Sequence, residues 1–125
     1  MQLYLPTDNP LIYNYYDTTV ELVEVMELCQ GCPEVGYLLI NSMAFNQDLR
    51  FGTNVLFTGY WLILPQFVSS WKTSGFKLCA IDLRTNTLYE ISQIEPLAIP
   101  YKVEEKEVKY FIDLANQTSK TVVLP

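Results

Sequence analysis

From Phe51 to Trp71 the chain runs through 21 residues without a charge. A run of that length either crosses a bilayer, which takes about 20 mostly apolar residues, or lies inside a folded core. Gly52, Asn54, Gly59, Pro65, Gln66, Ser69 and Ser70 interrupt its apolar character. It therefore reads as buried strand material, with Trp61 and Trp71 in the core. Val55 to Leu64 is the expected strand, Gly59 its bend or bulge, and Pro65 its stop.

A chain of 125 residues, half of them hydrophobic, fits a single globular domain over positions 1–125. Met1 to Pro6 lacks a charged region followed by an apolar run, so it does not read as a secretory signal. Three cysteines make an odd count, which argues against a disulfide framework and for a reducing compartment. The expected location is cytoplasmic.

Around the uncharged stretch, Leu3 to Leu5 suggests a short strand, and Leu11 to Tyr16 a strand or an ordered loop. Thr18 to Gln30 reads as a helix: Thr18 and Glu21 match a capping box, and Leu22, Val25, Met26 and Cys29 follow one helical stripe. Gly31 then suits the left-handed residue that ends it. The counter-reading is a strand, because valines recur at 20, 23 and 25. Tyr37 to Asn41 reads as a strand and Ser42 to Arg50 as a helical turn. Phe76 to Leu83 and Leu88 to Ile94 form an alternating hairpin around Arg84-Thr85-Asn86-Thr87. A second helix is expected over Val103 to Asn116, with Val108, Phe111, Ile112 and Ala115 on one face, and Val122 to Leu124 adds a closing strand. The expected class is α+β: a mixed or antiparallel sheet of about five strands packed with two main helices.

Catalytic chemistry finds little to work with. The chain has no histidine, which removes Ser-His-Asp and Cys-His arrangements. No phosphate-cradling glycine loop occurs. Cys29-Gln30-Gly31-Cys32 is a C-x-x-C, but a zinc site needs four ligands and the only other thiol is Cys79. At a helix C-terminus Cys29 would be an inert, buried side chain. The expectation is no enzyme, no catalytic residues, no cofactor and no metal.

The carboxylates are more informative. Residues 1–49 hold seven acids and no base, whereas residues 50–125 hold seven acids and all eight bases. On a helix, Asp17, Glu21, Glu24 and Glu27 would fall within about one third of the circumference. Tyr13, Tyr15 and Tyr16 stand just before them and suit contacts to cationic side chains. These seven residues form the expected partner-binding set. A net charge of -6 without a basic stripe disfavours nucleic acid and anionic membranes. The functional expectation is a small acidic protein that neutralises a basic partner, as an immunity protein or inhibitor does to a toxin or other enzyme, a nuclease being one case. The alternative is an accessory or self-associating subunit, a homodimer for example, that uses the apolar 55–68 segment.

Overall fold

The computed structural model describes residues 11–30, 32–69 and 74–125. Every described element is a β-strand. They are β1 (Leu11–Tyr15), β2 (Thr18–Glu27), β3 (Glu34–Ile40), β4 (Met43–Ala44), β5 (Arg50–Gly52), β6 (Leu56–Thr58), β7 (Trp61–Ser69), β8 (Ser74–Asp82), β9 (Thr87–Glu90), β10 (Ile99–Glu104), β11 (Glu107–Phe111) and β12 (Ser119–Val123). This overturns the expected α+β class, since no helix exists among the described residues. It follows that none of them forms a helix able to cross a membrane. The strand expected at Leu3 to Leu5, the Gly31 cap and Trp71 lie outside the described residues. By its internal contacts the chain divides into two compact units, Met1–Thr53 and Asn54–Pro125.

In the first unit β1, β2 and β3 run antiparallel, and β3 goes on to pair with β5 and, at its other end, with β4. The helix expected over Thr18 to Gln30 is thus β2. The β-branched content noted there prevails, because Val20 and Leu22 alternate with Glu21 and Val23 and are fully buried. The helical spacing was produced by a bulge. Val23 faces Tyr37 and Met26 faces Val35, so Glu24 and Val25 together oppose Gly36. Strict alternation would have aimed the Glu24 carboxylate inward with Val20 and Leu22. The extra residue gives that place to Val25, which is 2% exposed. Glu24 takes up the irregularity at φ 53. Leu22 and Val25 then sit three apart on one face, the step that a helix would also show.

Tight turns close the hairpins. Tyr16 (φ 55) lies between β1 and β2, and Asn41 and Ser42 (φ 50 and 68) between β3 and β4, where the helical turn over Ser42 to Arg50 was expected. Two successive left-handed residues make the type I′ turn that matches the twist of a hairpin. Phe51 is fully buried, edge-on to Phe45 at 6.2 Å.

In the second unit β6, β7, β8 and β9 form an antiparallel run, and β10, β11 and β12 form a three-stranded meander whose β10 packs on β6 and β7. Gly59 (φ 56) makes the β6–β7 turn. β7 does not stop at Pro65. It pairs with β8 from Trp61–Asp82 to Ser69–Ser74. Leu78, opposite Pro65, receives Ile91 N–H on its carbonyl at 2.9 Å and donates its N–H to Ser92 Oγ at 2.7 Å. Both bonds run toward the β9 side, so Pro65 sits at a non-hydrogen-bonded pair where its missing N–H costs the ladder nothing. Trp61 to Gln66 are buried without interruption, which accounts for the absence of charge there.

The second expected helix, Val103 to Asn116, is instead the end of β10, all of β11 and the two turns that flank β11. Glu105 (φ 56) makes the first turn. In the second, Asp113 accepts the N–H groups of Gln117 (2.9 Å) and Thr118 (3.1 Å), which hold its carboxyl below the usual range. Val108 and Tyr110 alternate inward along β11.

The meander is tied to β8 by a buried carboxylate. Glu95, 6% exposed, exchanges both backbone hydrogen bonds with Phe76 at 2.8 Å. Its Oε2 accepts from Lys120 Nζ at 2.8 Å and from Tyr110 OH at 3.3 Å. Gly75 permits that approach, since a Cβ there would lie 2.5 Å from the Glu95 carbonyl oxygen.

Two glycines therefore carry backbone contacts. A Cβ on Gly36 would meet the Val23 carbonyl oxygen at 2.8 Å, inside the bulge. Gly36→Ala and Gly75→Ala are each expected to lower stability by about 1–3 kcal/mol in denaturant unfolding, the cost of overpacking against groups that cannot rotate away.

Candidate functional site

The strand rearranges the expected partner-binding residues. Asp17 and Tyr16 lie exposed at the β1–β2 turn, with Tyr16 91% exposed and edge-on to Tyr15 at 4.7 Å. Tyr13 and Tyr15 are half-buried, two residues apart on one side of β1. Tyr13 donates its hydroxyl to the Thr53 carbonyl at 2.8 Å. Its phenol is pushed up by burial and, secondarily, by the charge of Glu34. Glu21 stands between Ile12 and Leu39 on the outward side of the sheet. Glu24 is exposed at the bulge. Glu27 pairs with Glu34 at the end of the β2–β3 hairpin. The single acidic stripe of a helix is thus replaced by three separate settings, because successive strand residues point to opposite sides.

One of those settings is a cleft. Glu24, Val23, Tyr37, Leu39, Ala44 and Gln47 line a depression of about 390 Å³ on the first unit. A second hollow of about 180 Å³ shares Glu24 and Tyr37 and adds Met26, Val35, Gly36 and Arg50. The pairing explains the composition: Val23 with Tyr37 and Leu39 with Ala44 are direct cross-strand neighbours. At the smaller hollow the Arg50 guanidinium lies 5.7 Å from the centre of the Tyr37 ring. Glu21 does not line either hollow; it stands opposite Leu39, one of the residues of the larger one. Sequence reasoning found Glu21 and Glu24 but missed Val23, Tyr37, Leu39 and Gln47. For Val23 the signal was a period of two with Glu21, hidden by the assignment of a helix; Tyr37 and Leu39 lay in an expected strand whose outward side only the register with β2 reveals, and Gln47 carried no signal.

Glu24 differs from its peers in backbone setting. Among the described residues Tyr16, Asn41, Ser42, Asn86, Glu105 and Asn116 also have positive φ without being glycine, and all lie in turns. Glu24 has it inside a strand. The arrangement offers an aromatic and aliphatic floor beside an exposed carboxylate, which suits a cationic side chain with an apolar stem.

Charge follows the same division. Residues 1–53 hold seven acids and the one base Arg50, and residues 54–125 hold seven acids and seven bases. In the second unit Lys77 pairs with Glu90, Arg84 with Asp82, Lys102 and Lys109 with Glu104, and Lys120 with Glu95. Those bases are engaged by acids of their own unit.

The Glu27–Glu34 pair is a separate electrostatic feature. Glu34 Oε2 is buried and finds no hydrogen-bond partner among the described residues. Burial, and then the charge of Glu27, raise the Glu34 carboxyl above its ordinary range. Next to this pair Cys29 and Cys32 are joined as a disulfide in the turn, with Cα atoms 4.9 Å apart. This corrects the expectation of a buried, inert Cys29 at a helix end: the cysteine is exposed, at a hairpin tip.

No protein-family model, curated protein or solved structure matches this chain.

Both influences on Glu34 favour its neutral form, so the folded chain holds that proton more tightly than the unfolded one. Its contribution to stability is complete below the ordinary Glu range and is lost as pH rises through the raised folded value. Glu34→Gln is therefore expected to gain about 0.2–1 kcal/mol at neutral pH, the scale of a cross-strand charge pair, and to gain nothing at acidic pH. Thermal unfolding across a pH series checks both.

Proposed function

We propose that this protein is a non-catalytic binding protein that neutralises a basic protein partner, gripping cationic side chains at the Glu24 cleft of its first unit, with Glu21 beside the cleft residue Leu39. The observation that carries this reading is Glu24: an exposed carboxylate held at φ 53 within a strand, on the rim of a cleft floored by Tyr37 and Leu39. A left-handed backbone is costly for a residue with a Cβ, and such outliers gather where a side chain must be aimed. The surrounding 53 residues carry six acids in excess of their single base. A basic partner would be steered to them and held by charge-assisted contacts. An inhibitor or immunity protein acting on a basic enzyme or toxin is the physiological role that suits this surface. The alternative of self-association through the 55–68 segment has less support, because Trp61 to Gln66 fill the core of the second unit.

The test is affinity capture from cells of origin, followed by titration of the captured protein. A basic protein is expected, with affinity falling steeply as salt rises and falling roughly tenfold or more with Glu21→Lys/Glu24→Lys. An acidic or neutral partner, or affinity indifferent to both changes, would sink the proposal. Glu24→Gly separates fold from function. It relieves the left-handed strain and removes the carboxylate, so stability is expected to stay level or rise by up to about 1 kcal/mol while affinity drops.

A further inference from the structure

The tip of the β2–β3 hairpin carries a second feature, independent of the cleft. Cys29 is exposed and Cys32 half-buried, and the turn is braced by Cys32 N–H to the Cys29 carbonyl (2.9 Å) and Leu28 N–H to the Pro33 carbonyl (3.2 Å). The next cross-strand pair inward along the ladder is Glu27 with Glu34. Like charges directly opposite each other weaken a ladder. The disulfide thus closes a hairpin at the point where its own side chains push it apart. Glu34 is also felt by Tyr13 of β1, so among the described residues the titratable groups coupled to it are the Glu27 carboxylate and the Tyr13 phenol.

We propose that Cys29 and Cys32 form a reversible thiol–disulfide exchange site for small thiols such as glutathione, and that opening it loosens the Glu27–Glu34 end of the hairpin. A glutathione thiolate attacks the exposed Cys29 sulfur, the S–S bond breaks, and Cys32 leaves as a thiolate that takes up a proton. A second glutathione thiolate attacks the glutathione sulfur of the mixed disulfide and releases Cys29, which is protonated in turn. Two glutathione thiols are oxidised to one glutathione disulfide, and the cysteine pair gains the two electrons and two protons. Cys79 takes no part. It is fully buried in β8, its thiol lies 3.3 Å from Gln66 Oε1, and burial pushes its pKa up to about 12.

The test equilibrates the full chain in buffers of varied reduced to oxidised glutathione, then quenches with acid, alkylates and maps the peptides by mass. The Cys29–Cys32 pair is expected to convert from disulfide to dithiol within that series while Cys79 stays a free thiol throughout. A pair that stays wholly oxidised or wholly reduced in every buffer overturns the exchange site. Amide hydrogen exchange in the two redox states reads the second half. At neutral pH the amides of Met26 to Val35 are expected to exchange roughly two- to fivefold faster after reduction, the scale of a cross-strand charge pair. Glu34→Gln is expected to shrink that difference. Equal rates in both redox states, or a difference untouched by Glu34→Gln, overturn the coupling to the carboxylate pair.

Discussion

The bulge at Glu24 and Val25 is the constraint on which the first unit's surface depends. Val20 and Leu22 commit one side of β2 to burial, and the next inward position by strict alternation would be Glu24. An unpaired carboxylate in an apolar interior is far more costly than a local irregularity in a ladder. One additional residue resolves the conflict. Val25 moves inward, Glu24 moves to the rim, and Gly36 opposite leaves room for the Val23 carbonyl and the Val25 side chain. The strain is concentrated at Glu24, an exposed residue of the cleft. Val23, Tyr37 and Leu39 are left as its floor by the same register.

The second unit handles charge differently. Its acids and bases are equal in number, and its described ion pairs are internal. The most consequential is Glu95 with Lys120, because the carboxylate is buried and its segment also bridges to β8. Removing either partner would leave a desolvated charge or a stranded ammonium, whereas an exposed pair such as Lys102 with Glu104 adds little. Glu95 in this unit therefore serves the fold. The acids of the first unit have only Arg50 as a local base, and Arg50 lies by the Tyr37 ring. This contrast is the reason to look for a cationic partner at the first unit.

Legibility in the sequence tracked the physics of each segment. The hairpin around Arg84 to Thr87 was readable because two β-prone runs flank a polar turn, although Leu78 to Asp82 are buried in succession. The strand expected over Tyr37 to Asn41 was readable from its short continuous apolar run, and β3 holds it up to Ile40. β2 was misread because a bulge inserts a three-residue step between Leu22 and Val25, which imitates helical periodicity, and because Thr18 and Glu21 happen to match a capping box. The region of β10 and β11 was misread because its turn, Glu105-Lys106, has neither glycine nor asparagine, so nothing in the composition marked a reversal. Glu21 and Glu24 were identified as candidate contacts from charge alone. Tyr37 and Leu39 were not, since their exposure depends on the register with β2.

By itself the sequence determined that the run from Phe51 to Trp71 would carry no charge and that negative charge would be concentrated in the first two-fifths of the chain. These follow from residue type and order, which folding cannot alter. Only the tertiary structure decided that β2 is a strand, that Glu24 lines a cleft while Glu27 is set against Glu34, and that Cys29 meets Cys32 across a turn. Each of those outcomes depends on which residue lies opposite which. Cross-strand register is set by burial summed over the whole ladder and by the place of one extra residue, quantities that no local stretch of sequence contains.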